Sequence, residues 1–178
     1  MHTKISVALT TIEYPTDRKP EVQKSDKVSV IFCTKNSEST IHNAIKAIKS
    51  NSSYNLDSII VVDGFSNDKT AEKAKQAGAT TVITQPIKKF PGKGIAMKAG
   101  IEESIKAGSN IALFLDSDIK NLSSEWADTL LDPIVEKGYD MTRGFYDRAP
   151  RDAAVTKLIA RPMLSAFFPE LSHFEQNL

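Results

Sequence analysis

A single cysteine, Cys33, stands in 178 residues, which excludes an internal disulfide. It lies in an apolar run and is expected to be a small core residue in a protein of the reducing cytoplasm. Charge of either sign in excess is also lacking. Lys and Arg total 23 against 22 Asp and Glu, so no global field steers the chain to nucleic acid or to an anionic membrane, and anion recognition has to come from local clusters. No apolar run approaches the ~18 residues of a membrane span, and the N-terminus has no apolar stretch of the secretory kind. Repeats, low-complexity tracts, the Walker spacing and the dinucleotide glycine fingerprint are missing too. His2, His42 and His173 are too scattered to form a ligand cluster, and His42 is read as structural.

What remains is an ordinary soluble composition, with 40% hydrophobic and 25% charged residues, enough to bury a core without covalent staples. Residues 1–27 are polar and aperiodic, a lead-in, and 28–178 are read as one domain. Val28–Thr34, Ser58–Asp63, Thr80–Thr84 and Asn110–Asp116 are β-branched or apolar runs of strand length, and Tyr139–Tyr146 is a fifth candidate strand. Between them, Ser37–Ser50, Asp68–Gln76 and Gly94–Lys106 carry helical spacing. In the last of these Ile95, Ala99, Ile101 and Ile105 recur roughly once per turn. Gly78 and Gly108 are helix stops. Ser123 or Ser124 caps a further helix that Pro133 interrupts or kinks, and Pro162 bends or splits a last one over Val155–Phe168. Trp126 and the Phe167–Phe168 pair are assigned to the core or an interface. An exposed aromatic C-terminal helix would favour a homodimer. Strands that are near-continuous apolar runs, alternating with helices, predict an α/β fold: a mainly parallel central sheet covered by helices.

In such sheets ligands bind beyond the carboxyl ends of the strands, and polar residues collect there. Asp116-Ser117-Asp118 follows the fourth strand. In an extended chain carboxylates at i and i+2 leave the same face, and hard cations such as Mg²⁺ or Mn²⁺ bridge carboxylates to phosphates. The plainer reading is a turn cap and a solvated side chain. Asp63 ends the second strand, where it either accepts a base N–H or ribose hydroxyl, or closes an Asx-turn. Ser66, Asn67 and Asp68 suit a turn and helix cap, with Ser66 within reach of a nucleotide. Gly92-Lys93-Gly94 opens a helix, a place where backbone amides and a lysine attract phosphate, or is simply a flexible basic loop. Lys88 and Lys89 read as solvated. The basic, aromatic stretch Arg143–Arg151 and Arg161 either hold an anionic group or lie in surface loops.

The series Thr34-Lys35-Asn36-Ser37-Glu38, Val61-Val62-Asp63-Gly64-Phe65-Ser66-Asn67-Asp68-Lys69-Thr70, Gly92-Lys93-Gly94 and Phe114-Leu115-Asp116-Ser117-Asp118 resembles nucleotide-sugar glycosyltransferases of the A-type, Rossmann-like fold. Gly144–Arg148, Val155–Pro162 and Phe168–Leu171 resemble the glucosyl-3-phosphoglycerate synthases and their mannosyl relatives. The resemblance implies metal-dependent, retaining transfer of a hexose from UDP or GDP to a small hydroxyl acceptor such as 3-phosphoglycerate. It implies that Thr34, Asn36, Glu38, Asp63, Ser66, Lys93, Asp116 and Ser117 contact the nucleotide sugar. Asp116 and Asp118 would hold Mg²⁺ or Mn²⁺, and Thr156 the acceptor; Arg151 would join it in place of the family's arginine only if its loop shifts, and Arg161 either binds the acceptor's phosphate or caps a helix end.

Departures are visible. Ser37 stands where the family usually has a second acidic residue, and Asp152-Ala153-Ala154 replaces a glycine-rich stretch with an arginine. The sequence ends at Leu178, before further acceptor contacts and a histidine ligand, so the domain is read as open to being incomplete at its C-terminus. The competing expectations are a nucleotide-sugar-binding module without turnover, or a family 2-like enzyme acting on polyprenyl phosphate or polysaccharide. A sugar-phosphate nucleotidyltransferase is disfavoured, because Lys35-Asn36-Ser37-Glu38 is not the glycine-rich, arginine-bearing loop it needs.

Overall fold

The computed structural model describes residues 22–23, 25–50, 52–89, 92–119, 121–144, 158–159, 161–167 and 169. Its centre is β1 (Lys27–Thr34), with β2 (Asn55–Asp63) and then β3 (Thr81–Thr84) on one side and β4 (Ile111–Leu115) on the other. All three pairings are parallel, so every carboxyl end lies along one edge. The chain moves outward from β1 through β2 to β3 and then returns to the far side of β1. The reversal leaves a crevice between the ends of β1 and β4, where open parallel sheets take their ligands.

β1 is buried on both faces because its apolar residues alternate into two separate cores. Val28, Val30 and Phe32 join one core with α1 (Ile41–Lys49), α2 (Thr70–Ala77) and α4 (Ser124–Lys137); Ile31 joins the other, with Ile60, Val62 and α3 (Lys93–Lys106). In β2 the same alternation is offset by a bulge, since Lys27 pairs with Asn55 while Ser29 pairs with Ser58. Ile41, Ala44, Ile45 and Ile48 form the buried stripe of α1, and Trp126 packs against that core, both as expected. Gly78 closes α2 at φ +96°, with its N–H on the last turn's carbonyls, a left-handed cap that favours glycine.

Several expectations change. Helix α1 starts at Ile41 rather than Ser37, and residues 38–40 form a turn that leads into it. In α3 the buried face is Ala96, Ala99, Gly100 and Ser104, whereas Ile101 and Ile105 are exposed, at 42% and 68%. The helix lies so close to the sheet that only small side chains fit beneath it. Pro133 does not interrupt α4, and the helix runs unbroken from Ser124 to Lys137. Ser123 is the N-cap, yet its hydroxyl makes no capping bond among the described residues. Residues 139–144 are irregular, so the described part of the expected fifth strand is not one; 145–146 lie outside the described residues. Residues 1–21 of the lead-in lie outside them as well.

The chain divides into two compact units, Tyr14–Thr142 and one made of Met1–Glu13 with Arg143–Leu178. In the second, α5 (Arg161–Phe167) places Pro162 in its first turn, where a missing N–H is harmless; Met163 and Phe167 are exposed. Among the described residues no helix is long and apolar enough to cross a membrane.

Candidate functional site

The strand-end loops of the first unit are bound to one another by the polar residues that the sequence places there. Thr34 donates its hydroxyl to Ser37 Oγ at 2.6 Å and lies 2.8 Å from Ser117 Oγ, which joins the ends of β1 and β4. Both Thr34 and Ser117 are buried. The β1 loop is stitched to the β2 loop by a reciprocal set of bonds. Asn36 N–H donates to Ser66 Oγ at 2.8 Å while Asn36 Oδ1 accepts from Asn67 N–H at 2.9 Å. Glu38 N–H donates to Asp68 Oδ2 at 3.1 Å while Glu38 Oε2 accepts from Lys69 N–H at 3.2 Å. Ser37 N–H donates to Thr70 Oγ1 at 2.8 Å. Asp68, just before α2, accepts the Thr70 N–H and hydroxyl, and the hydroxyl bond holds its carboxyl below the ordinary range. Asn36, Ser37, Glu38 and Asp68 therefore hold the frame of the crevice.

Two clefts lie along that frame and share Lys35. One of about 440 Å³ is bounded by Asp63, Phe65, Ser66, Thr84 and Lys88. Its neighbour, of about 250 Å³, is bounded by Cys33, Thr34, Gln85, Gly92 and Lys93. The first is within the size range of small-molecule sites.

Asp63 divides its two oxygens. Oδ2 accepts Ser66 N–H at 3.0 Å, the Asx-turn of the plainer reading. Oδ1 is buried and has no hydrogen-bond partner among the described residues. An acceptor buried without a donor is costly, and here it borders a cleft of ligand size.

Asp116 and Asp118 flank the buried Ser117 and are both exposed. The segment is a turn rather than the extended chain expected, but alternate exposure still puts the two carboxylates outward. Lys93 Nζ lies 2.5 Å from Asp116 Oδ1, and that bond holds the lysine's pKa above its usual value. The first residue of α3 thus reaches across the crevice to the end of β4. Among the described residues no group of three or more His, Cys, Asp or Glu is gathered for a metal. Two outward carboxylates fit a hard cation that keeps water and phosphate oxygens as its other ligands, and not a cation that needs a closed protein cage.

Cys33 departs from expectation. It is half-buried and forms part of the smaller cleft's wall, on the sheet face that α3 covers. Burial pushes its thiol up to about 11, against an opposing pull from Lys93. Alkylation by iodoacetamide near pH 7 is expected to run about two orders of magnitude slower than for a free thiol. The rate should go on rising with pH to about 11; a plateau at the ordinary thiol value would contradict this environment.

Thr156 and Arg151 lie outside the described residues. Arg161 begins α5, and its side chain lies outside them too. Phe65, Lys35 and Lys88 line the larger cleft without having been singled out as ligand residues. The one available signal was position: all three follow closely on strand ends.

The family model for glycosyl transferase family 2 matches residues 29–177. Glucosyl-3-phosphoglycerate synthase of Petrotoga mobilis is 33% identical over 175 residues, covering 88% of this chain and 53% of that protein. The Haloferax volcanii glycosyltransferase AglJ is 33% identical over 133 residues, 75% of this chain and 40% of that one. Among solved structures, the Mycobacterium tuberculosis glucosyl-3-phosphoglycerate synthase with Mn²⁺, UDP and glucosyl-3-phosphoglycerate superposes with a TM-score of 0.67 at 31% identity, covering 83% of this chain and 52% of that one. The same enzyme with Mg²⁺ and UDP gives 0.67, also at 31% identity and the same coverage. The chain spans about half the length of the curated relatives it matches. Its parallel sheet flanked by helices is the A-type glycosyltransferase fold, and the chain belongs to glycosyl transferase family 2.

Proposed function

We propose that this chain binds a nucleoside diphosphate hexose, UDP-glucose being the form its relatives take, and serves its transfer to a small phosphorylated hydroxyl acceptor such as 3-phosphoglycerate. The observation that carries the reading is the pairing of Asp116 with Lys93 across the crevice, beside a cleft in which Asp63 Oδ1 has no donor among the described residues. A diphosphate needs cations and a base with an edge N–H needs an acceptor, and the two kinds of group lie along one sheet edge.

The roles follow from the chemistry of each group. Asp63 accepts the base N–H. Lys93 and Lys35 meet the diphosphate as point charges. Asp116 and Asp118 hold Mg²⁺ or Mn²⁺, which would offset the charge on the departing diphosphate. Ser117, pinned to Thr34, keeps those carboxylates in register with β1, while Asn36, Glu38 and Ser66 fix the loops around the nucleotide. Thr156, Arg151 and Arg161 are the proposed acceptor residues. Transfer with retention, on one face of the sugar, requires no separate protein base.

A thermal-shift panel of UDP, GDP and their hexoses, with and without Mn²⁺, tests the donor side. A ligand at 100 times its dissociation constant adds about 2.7 kcal/mol to stability, worth roughly 5–10 °C for a chain of this size. The expected result is such a rise for UDP-glucose with Mn²⁺ and little without the metal. No rise with any nucleotide, or an equal rise after chelation, would contradict the reading. Release of UDP on adding 3-phosphoglycerate separates transfer from binding alone.

A further inference from the structure

Phe65 carries a conformation and a position that core packing does not account for. Its φ is +60°, a left-handed backbone that costs an aromatic residue energy and persists only where neighbours fix it. The neighbours are plain: Gly64 N–H donates to Thr34 O at 2.8 Å, and Ser66 N–H donates to Asp63 Oδ2 at 3.0 Å, so both flanks of Phe65 are held. In return, the ring joins neither of the two core clusters formed by the described residues. It stands half-buried in the wall of the 440 Å³ cleft, along with the Asp63 carboxylate whose Oδ1 is buried without a partner among the described residues. Lys88 Nζ lies 5.8 Å from the ring centroid, so the face of the ring is accessible to a group in the cleft. Lys88 is itself exposed, and a single exposed cation–π contact is weak enough to be exchanged.

We propose that Phe65 is the stacking platform for the nucleobase in this chain: its ring supports the base while Asp63 Oδ1 takes the N–H on the base edge. The inference rests on the nucleotide-sugar reading above. Uracil and guanine present a ring N–H at the pairing edge, whereas adenine and cytosine present a ring acceptor there. The pair Phe65 and Asp63 therefore selects the first two, stacking supplying affinity and the carboxylate supplying choice.

Calorimetric titrations of UDP and of pyrophosphate, both with Mn²⁺, test this on wild type and on Phe65→Asn, Phe65→Tyr and Phe65→Leu. Asn tolerates the left-handed backbone, so Phe65→Asn is expected to melt no lower than wild type. Its UDP affinity should fall about tenfold or more, as loss of one base–aromatic stack does, with pyrophosphate affinity within about twofold of wild type. Phe65→Tyr should keep UDP affinity and Phe65→Leu lose it, which preserves the test should the Asn variant fold poorly. UDP affinity unchanged in both Asn and Leu variants, or pyrophosphate affinity lost in parallel, would overturn the platform. Absence of UDP binding by wild type would instead overturn the underlying nucleotide reading.

Discussion

Asp116→Asn is expected to lower Mn²⁺-dependent affinity for UDP-glucose by at least about 100-fold, since changes merely adjacent to a metal's ligands already cost 10–100-fold. Asn keeps the size of the side chain and removes the charge that a hard cation requires. It also releases Lys93, whose ammonium lies 2.5 Å from the carboxylate. The fold should hardly respond: the two side chains are 63% and 56% exposed, and ion pairs so open to water contribute at most about 1 kcal/mol. A large loss of binding with an unchanged melting curve is therefore the expected signature. Loss of both together would mean that Asp116 supports the structure, and loss of neither would remove it from the site.

The opposite signature is expected at Gly100. Replacing an interior helix glycine with alanine normally gains about 1 kcal/mol. Here a Cβ would meet Ile31 Cγ2 at 2.5 Å. Ile31 is fully buried in the central strand, and its β-branched side chain has little freedom to turn aside. Gly100→Ala should thus destabilise by about 1–3 kcal/mol, the usual cost of overpacking, lowering the melting point by roughly 3–10 °C. Because α3 carries Lys93 on its first residue, lifting the helix should weaken nucleotide binding as well. A stabilised Gly100→Ala protein would show that α3 sits farther from the sheet than described.

These two positions show what could be read from the sequence and what could not. The strand runs were legible because residues such as Val30–Phe32 are apolar on both faces, and only a parallel sheet covered by helices buries both. The carboxyl-edge clustering of Thr34, Asp63 and Asp116 followed from that sheet. The face of α3 was misread, since periodicity weighs Ile101 and Ile105 above Ala96 and Gly100. Close packing against Ile31 and Val62 inverts that preference and leaves the isoleucines outside. Pro133 does not interrupt α4, because a helix held by other contacts can absorb one missing N–H. Tyr54 supplies such a contact, donating its hydroxyl to Asp132 of α4 at 2.6 Å. Tyr139–Tyr146 is strand-like in composition, yet its described part, 139–144, is irregular. Within the site, residue types at strand ends were informative about chemistry and less so about partners. That Asn36 and Glu38 are engaged in binding loop to loop depends on pairings 30 or so residues apart, which spacing does not encode. Phe65 was overlooked because a left-handed aromatic has no sequence signature.

Asp116 and Asp118 are proposed to hold a divalent cation together with a nucleoside diphosphate. Titration of Mn²⁺ followed by electron paramagnetic resonance measures this directly, with and without UDP, on wild type and Asp116→Asn. Weak Mn²⁺ binding to the wild-type protein that tightens by at least about tenfold when UDP is present, and no such tightening in the variant, is expected. Mn²⁺ binding that is indifferent to UDP, or that survives intact in Asp116→Asn, would contradict it.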